Sequence, residues 1–141
     1  MVHLSQLLAE SVANGELKFR RSSRKVTYHD PCRLGRFSGI YDEPRAVIEA
    51  IPGLELVEMP RNRTGALCCG TQAWMNCGTV NKQIQAERLR EASSTGAEVL
   101  LTSCPKCQIH FKCAMNDGRL GEELGIEIED VTSLAAKALS A

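Results

Sequence analysis

The chain has 141 residues, of which 43% are hydrophobic and only 4% aromatic, with 17 basic side chains balancing 17 acidic ones. That is the size of one domain, with a core built from Leu, Ile, Val and Ala rather than from rings. Zero net charge speaks against a nucleic-acid binder, which needs a clearly basic surface.

Leu4, Leu7, Leu8 and Val12 fall on one helical face, and Asn14-Gly15 supplies a stop, so a helix is expected over 1–14. A basic connector, 15–25, leads to a short strand at Val26–His29, which Asp30-Pro31 ends. Past a loop with Gly35 and Gly39, Pro44 is suited to the first turn of a helix that buries Val47, Ala50 and Ile51 and stops at Pro52-Gly53. Leu54–Met59 reads as a second strand. Residues 60–78 form a long loop holding Cys68, Cys69 and Cys77, and loops of that length in a compact domain are commonly functional.

Helix periodicity returns from Thr79 to Ser94, with Val80, Ile84, Leu89 and Ala92 as an imperfect stripe. Glu98–Thr102 is nearly all apolar, as a buried parallel strand should be. Pro105 opens a helix to about Asn116, and Gly118 and Gly121 are read as breaking the chain. Ile126 and Ile128 mark a fourth strand. Asp130 caps a last helix with Val131, Leu134, Ala135, Ala138 and Leu139 on one face. Alternating strands and helices predict an α/β domain: a mainly parallel four-stranded sheet covered by helices, with its core at 26–141. Sites in such sheets gather beyond the carboxyl ends of the strands. Cys32, the Cys68-Cys69 pair and Cys104/Cys107 each follow a strand, so they are expected to converge there.

No stretch of about 18 apolar residues reads as a membrane span. The N-terminal sequence lacks the pattern of a secretory signal, so a cytoplasmic setting is expected. Seven cysteines in that setting, an odd number, point to metal or redox chemistry rather than to structural disulfides. Cys104 and Cys107 have the spacing of a chelating pair, but Cys68 and Cys69 are adjacent and reach a single ion together only with strain. A polynuclear cluster removes the difficulty, because neighbours can bind different irons. The adjacent pair favours iron–sulfur over zinc. A dithiol site at Cys104-Pro105-Lys106-Cys107 is a third reading, with a helix N-terminus acidifying a thiol.

Tyr28-His29-Asp30-Pro31-Cys32, then Cys68-Cys69-Gly70, then Ser103-Cys104-Pro105-Lys106-Cys107 together resemble the cysteine-rich CCG domain of heterodisulfide reductase catalytic subunits. Related domains occur in subunits of glycolate, lactate, succinate and sulfur-metabolism oxidoreductases. The resemblance implies that Cys32, Cys68, Cys69, Cys104 and Cys107 bind a non-cubane [4Fe-4S] cluster, used in that family for electron transfer and thiol–disulfide reduction. It also implies a redox partner subunit carrying ferredoxin-type clusters or a flavin, with any membrane contact made through a partner. The substrate implied is a small thiol or disulfide. The chain departs from the pattern at Thr71-Gln72-Ala73-Trp74, where relatives often have more glycines. It carries one cysteine motif where many relatives carry two, as a split subunit or a piece of a longer oxidoreductase would.

Several other residues are candidates. His29 is read as a hydrogen-bond donor to a cluster sulfur or a proton carrier, with a backbone-satisfied histidine as the alternative. Gly70 is expected where backbones approach closely or φ is positive. Arg33, Arg36, Arg61, Arg63 and Lys106 flank the cysteines and could offset an anionic centre, although solvated surface is the plainer reading of each. Trp74 is expected as a lid on the core or a wall of the pocket. Cys77 and Cys113 are read as packing residues, Cys113 beside Ile109 on a shared face, and Cys77 has the better chance of lining the cluster. His3 and His110 read as surface. The basic residues of 1–25 and the acidic ones of 118–141 read as solvated ends, or as a patch for a partner.

Overall fold

The computed structural model describes residues 1–71 and 78–140. Its elements run α1 (Leu4–Ala13), β1 (Arg24–His29), α2 (Asp42–Glu49), β2 (Leu54–Leu56), α3 (Thr79–Ser94), β3 (Val99–Thr102), α4 (Pro105–Met115), α5 (Arg119–Leu124), β4 (Glu127–Asp130) and α6 (Val131–Ala138). The four strands form one all-parallel sheet in the order β2-β1-β3-β4. The α/β architecture read from the alternation is the observed one.

Side chains alternate across a strand, and each face of the sheet carries its own core. Val26, Tyr28, Val99 and Leu101 pack with Val47, Ile48 and Ile51 of the α2 region and with Val131, Leu134 and Ala135 of α6. Leu100 and Ile128 pack on the other side with Leu89 and Ala92 of α3 and Phe111 and Ala114 of α4, and Cys69 and Cys107 belong to this second core. The chain leaves β1 toward β2 on one side and leaves β3 toward β4 on the other. The carboxyl ends of β1 and β3 are therefore the switch point, where an open parallel sheet leaves a crevice.

Several local expectations change. α1 docks through buried Ser5 and half-buried Leu8 and Ala9, whereas Leu4 and Leu7 stay 51% and 53% exposed. His3 caps this helix, its Nδ1 accepting from the Ser5 N–H at 3.1 Å. β2 is shorter than expected, because Glu58 turns to Arg45 and Met59 into the second core. Gly118, at φ +51°, does break the chain between α4 and α5, whereas Gly121 lies inside α5. A Cβ on Gly121 would sit 2.2 Å from the Met115 carbonyl oxygen, so the glycine lets α5 close onto α4. The charged ends meet each other: Arg24 pairs with Glu127 at 2.5 Å, and Phe19 bridges Leu139. No helix among the described residues is long and apolar enough to cross a membrane.

Candidate metal centre

β1 ends in His29, and the turn Asp30-Pro31 carries Cys32 away from the sheet. Buried Asp30 fixes this turn. Its two carboxylate oxygens accept from Arg45 Nη1 and Nη2 at 2.8 and 2.9 Å, and one of them also accepts from the Arg63 N–H at 2.7 Å. Arg45 is 4% exposed, donates to Glu58 as well, and lies 5.0 Å above the Tyr28 ring. A buried guanidinium is tolerated only when its charge is paired in this way. The network ties the Cys32 turn to α2 and to the chain after β2.

The Cys68-Cys69 pair lies between a 3₁₀ turn at Arg63–Gly65 and α3. Gly70 takes φ +78°, and a Cβ there would lie 2.7 Å from both the Asn81 carbonyl oxygen and Gln85 Cγ. Asn81 Nδ2 donates to the Gly70 carbonyl at 2.5 Å. Without a side chain at 70, the pair is pressed against α3. Cys104 is the N-cap of α4 and Pro105 opens the helix, which brings Cys107 inward on the first turn.

Cys32, Cys68, Cys69, Cys104 and Cys107 line one cavity of about 220 Å³, together with Pro31, Arg33, Phe37, Thr71 and Lys106. Hydrogen bonds link Cys68 to Cys69, Cys69 to Cys107, and Cys107 to Cys104. Cys32 shares the cavity wall. All six described cysteines are free thiols. Cys69 is held far below the usual thiol range by hydrogen bonds from Cys107 and Cys68, helped by His29 and Thr71. Cys104 is lowered to about 6 by the Cys107 thiol and by the N–H groups of Cys107 and Lys106 at the start of α4. Cys107 and Cys68 move up, because each keeps its proton to donate it and because burial disfavours the charge.

His29 is 1% exposed, and Phe111 meets its ring edge-on at 4.9 Å. Arg88 Nε donates to His29 Nδ1 at 3.1 Å, while the ring hydrogen-bonds Cys69. Ring nitrogen and sulfurs of His29, Cys69 and Cys107 lie within 4.8 Å of one another. Among the described residues, the partners of the ring are side chains rather than backbone. Burial lowers its pKa, and Nδ1, which accepts from Arg88, bears no hydrogen.

Of the flanking cations, Arg33 and Lys106 line the cavity. Arg36 donates to the Thr64 and Ala66 carbonyls, Arg61 pairs with Glu87 and Glu91, and Arg63 pairs with Asp42. Cys113 is exposed and Ile109 is 65% exposed, which corrects the packing role given to them. The inward face of α4 is instead Cys107, Phe111 and Ala114. His110 is half-buried and meets Gln85 at 3.2 Å. Trp74 and Cys77 lie outside the described residues. Sequence reasoning overlooked Arg88. Gln85, Arg88, Leu89 and Ala92 are the buried face of α3; their i, i+3, i+4, i+7 spacing was visible, but two of the four are polar and hid it.

Five sulfur donors around one space, two of them from adjacent residues, fit an iron–sulfur core, in which neighbouring thiolates bind separate irons. The cysteine-rich domain family, carrying the CCG signature, matches residues 26–112. A subunit of the dihydromethanophenazine:CoB–CoM heterodisulfide reductase of Methanosarcina mazei is 37% identical over 99% of this chain and 34% of its own length. A probable iron-sulfur-binding oxidoreductase of Bacillus subtilis is 35% identical over 97% of the chain and 20% of its own. A subunit of the CoM/CoB fumarate reductase of Methanothermobacter marburgensis is 29% identical over 96% of the chain and 27% of its own. The chain thus spans about a third or less of the length of these relatives. Three cysteine motifs at one sheet edge and a family match over most of the chain lead to one conclusion: it belongs to the cysteine-rich CCG domain family.

Proposed function

We propose that this chain is the cluster-bearing domain of a heterodisulfide-reductase-like oxidoreductase. Cys32, Cys68, Cys69, Cys104 and Cys107 would hold a non-cubane [4Fe-4S] cluster. When bound, such a cluster takes up and gives up electrons one at a time, which suits reduction of a small disulfide. The observation that carries the reading is the convergence of five thiols from three remote segments on one cavity at the switch point. Among this chain's own residues, His29 directs a ring hydrogen bond at Cys69, and Arg33 and Lys106 bring positive charge to the rim. A neighbouring cavity of about 550 Å³ shares Pro31, Arg33 and Cys104 with the first and gives room for a thiol substrate. A partner with ferredoxin-type clusters or a flavin would supply electrons. The proposed setting is cytoplasmic, within a longer or multi-subunit enzyme, with any membrane contact through that partner.

The test is anaerobic purification followed by iron and sulfide analysis and electron paramagnetic resonance. Brown protein with about four irons per chain is expected for a four-iron cluster, with a paramagnetic signal that changes when thiol substrate is added. Iron with a signal indifferent to thiols would reduce the assignment to an electron-transfer module. Colourless protein with one tightly held zinc would overturn it.

A further inference from the structure

His29 is buried within 4.8 Å of the Cys69 and Cys107 sulfurs, and its role depends on which ring nitrogen carries the proton. A guanidinium has five N–H donors and no acceptor. Arg88 Nε lies 3.1 Å from His29 Nδ1 with its hydrogen directed at that atom, so Nδ1 must be the acceptor. A neutral imidazole with Nδ1 accepting carries its proton on Nε2. The hydrogen bond between His29 and Cys69 then runs from Nε2–H to sulfur. A nitrogen that bears a hydrogen has no lone pair in the ring plane to give to a metal.

Arg88 is itself held. It is fully buried on α3; Nη1 donates to the Arg61 carbonyl at 2.7 Å and pairs with Glu91 at 3.1 Å. Glu91 accepts from the Arg61 N–H at 2.8 Å and from Arg61 Nε at 2.9 Å. Phe111 packs edge-on against the ring from the α4 side. A buried arginine that spends one donor on a histidine, inside a set of ion pairs that fixes its direction, is a second layer of the metal site.

We propose that Arg88 is a positioning residue: it locks His29 in the Nε2–H tautomer, making His29 a permanent hydrogen-bond donor to the Cys69 sulfur and excluding it from the metal ligands. The tautomer lock stands on this chain alone, and its consequence for a cluster rests on the function proposed above. An N–H directed at a ligand sulfur withdraws electron density from it and raises the reduction potential of the centre. The lock also argues against His29 completing a mononuclear zinc site with Cys69, Cys104 and Cys107.

The first measurement uses metal-free, reduced protein labelled with ¹⁵N-histidine. Long-range ¹H–¹⁵N spectra should give His29 the Nε2–H pattern, and an Nδ1–H pattern overturns the proposal whatever metal the protein binds. Arg88→Lys keeps a donor and should retain the pattern, whereas Arg88→Met should give a mixture of tautomers; an unchanged pure tautomer in Arg88→Met counts against the lock. The second measurement uses metal-loaded protein. His29→Phe should keep the full metal content, and loss of one equivalent from a folded variant would make His29 a ligand after all. In iron-loaded protein, Arg88→Met and His29→Phe should both lower the midpoint potential, and the double variant should lower it no further than His29→Phe. Additive shifts would show that Arg88 acts by another route. Zinc in place of iron would fail the proposed function while leaving the tautomer result standing.

Discussion

At the residue scale, the linked thiols do not share charge equally. Cys69 and Cys104 are pushed down in pKa, while Cys68 and Cys107 are pushed up. Cys69 is 4% exposed, which shields it from reagents. In metal-free reduced protein, alkylation at Cys104 should therefore rise with pH through about 6, well below the ordinary thiol value of 9.0; peptide mass spectrometry after a pH series reads this directly. The sign follows from the depressed value: the thiolate's contribution to stability is fully present above the unfolded value and is lost as pH falls toward 6. A second prediction separates ligands from bystanders. Cys68→Ser or Cys69→Ser should abolish normal cluster assembly, and exposed Cys113→Ser should leave iron content unchanged. Full iron occupancy in both pair variants would sink the proposed ligand set.

At the element scale, two devices aim the cysteine segments. The first is the Asp30–Arg45–Glu58 network, which holds the turn after β1 against α2. Removing one partner of a buried pair leaves an uncompensated charge, so Asp30→Ala should cost about 3–5 kcal/mol in urea unfolding. A loss under 1 kcal/mol, roughly what an exposed pair contributes, would show that Arg45 finds water or another acceptor. The second device is the approach of the Cys68-Cys69 segment to α3 at Gly70. Gly70→Ala meets a left-handed backbone angle, worth about 1–2 kcal/mol, and a clash at 2.7 Å with the Asn81 carbonyl. The variant should fold with its sheet intact by far-UV circular dichroism yet retain less iron than the parent. Undiminished iron would mean that this loop tolerates displacement.

At the scale of the whole molecule, the sheet divides the helices between two cores, and the candidate centre lies in the core made by α3 and α4. A group that binds only the folded state stabilises it by mass action. Stripping metal anaerobically should lower the melting temperature. Hydrogen exchange should quicken around Cys68–Thr71 and Cys104–Cys107, while amides of β1 and β3, buried in the middle of the sheet, keep their protection. Equal loss of protection everywhere would make the metal a requirement of the entire fold rather than a group seated on a preformed scaffold.

The alternation of short apolar strands with periodic helices was enough to read the parallel α/β sheet, because burial on both faces leaves an unmistakable run such as Val99–Thr102. The helix starts marked by Asp130 and Pro105 were legible for the same local reason. The placement of cysteines just past strand ends was legible too, and only topology was needed to bring them together. Local pattern could not reveal which face of α1 or α4 turns inward, since that depends on the neighbour it meets: Leu4 and Ile109 remain exposed although their spacing suits a core. Gly121 looked like a helix breaker because its value lies in a close approach to Met115, a residue on another helix. Nothing local marks Arg88 and Arg45 as buried, because a buried charge is betrayed only by its partners, and those lie 59 and 15 residues away at His29 and Asp30. Sequence by itself determined the class of fold, the family and the sulfur-rich character of the site, since each is written in spacing along the chain. Only the tertiary structure decided which polar groups stand behind the sulfurs and which way their hydrogens point, because hydrogen bonds between remote segments exist only once the two sheet faces have been packed.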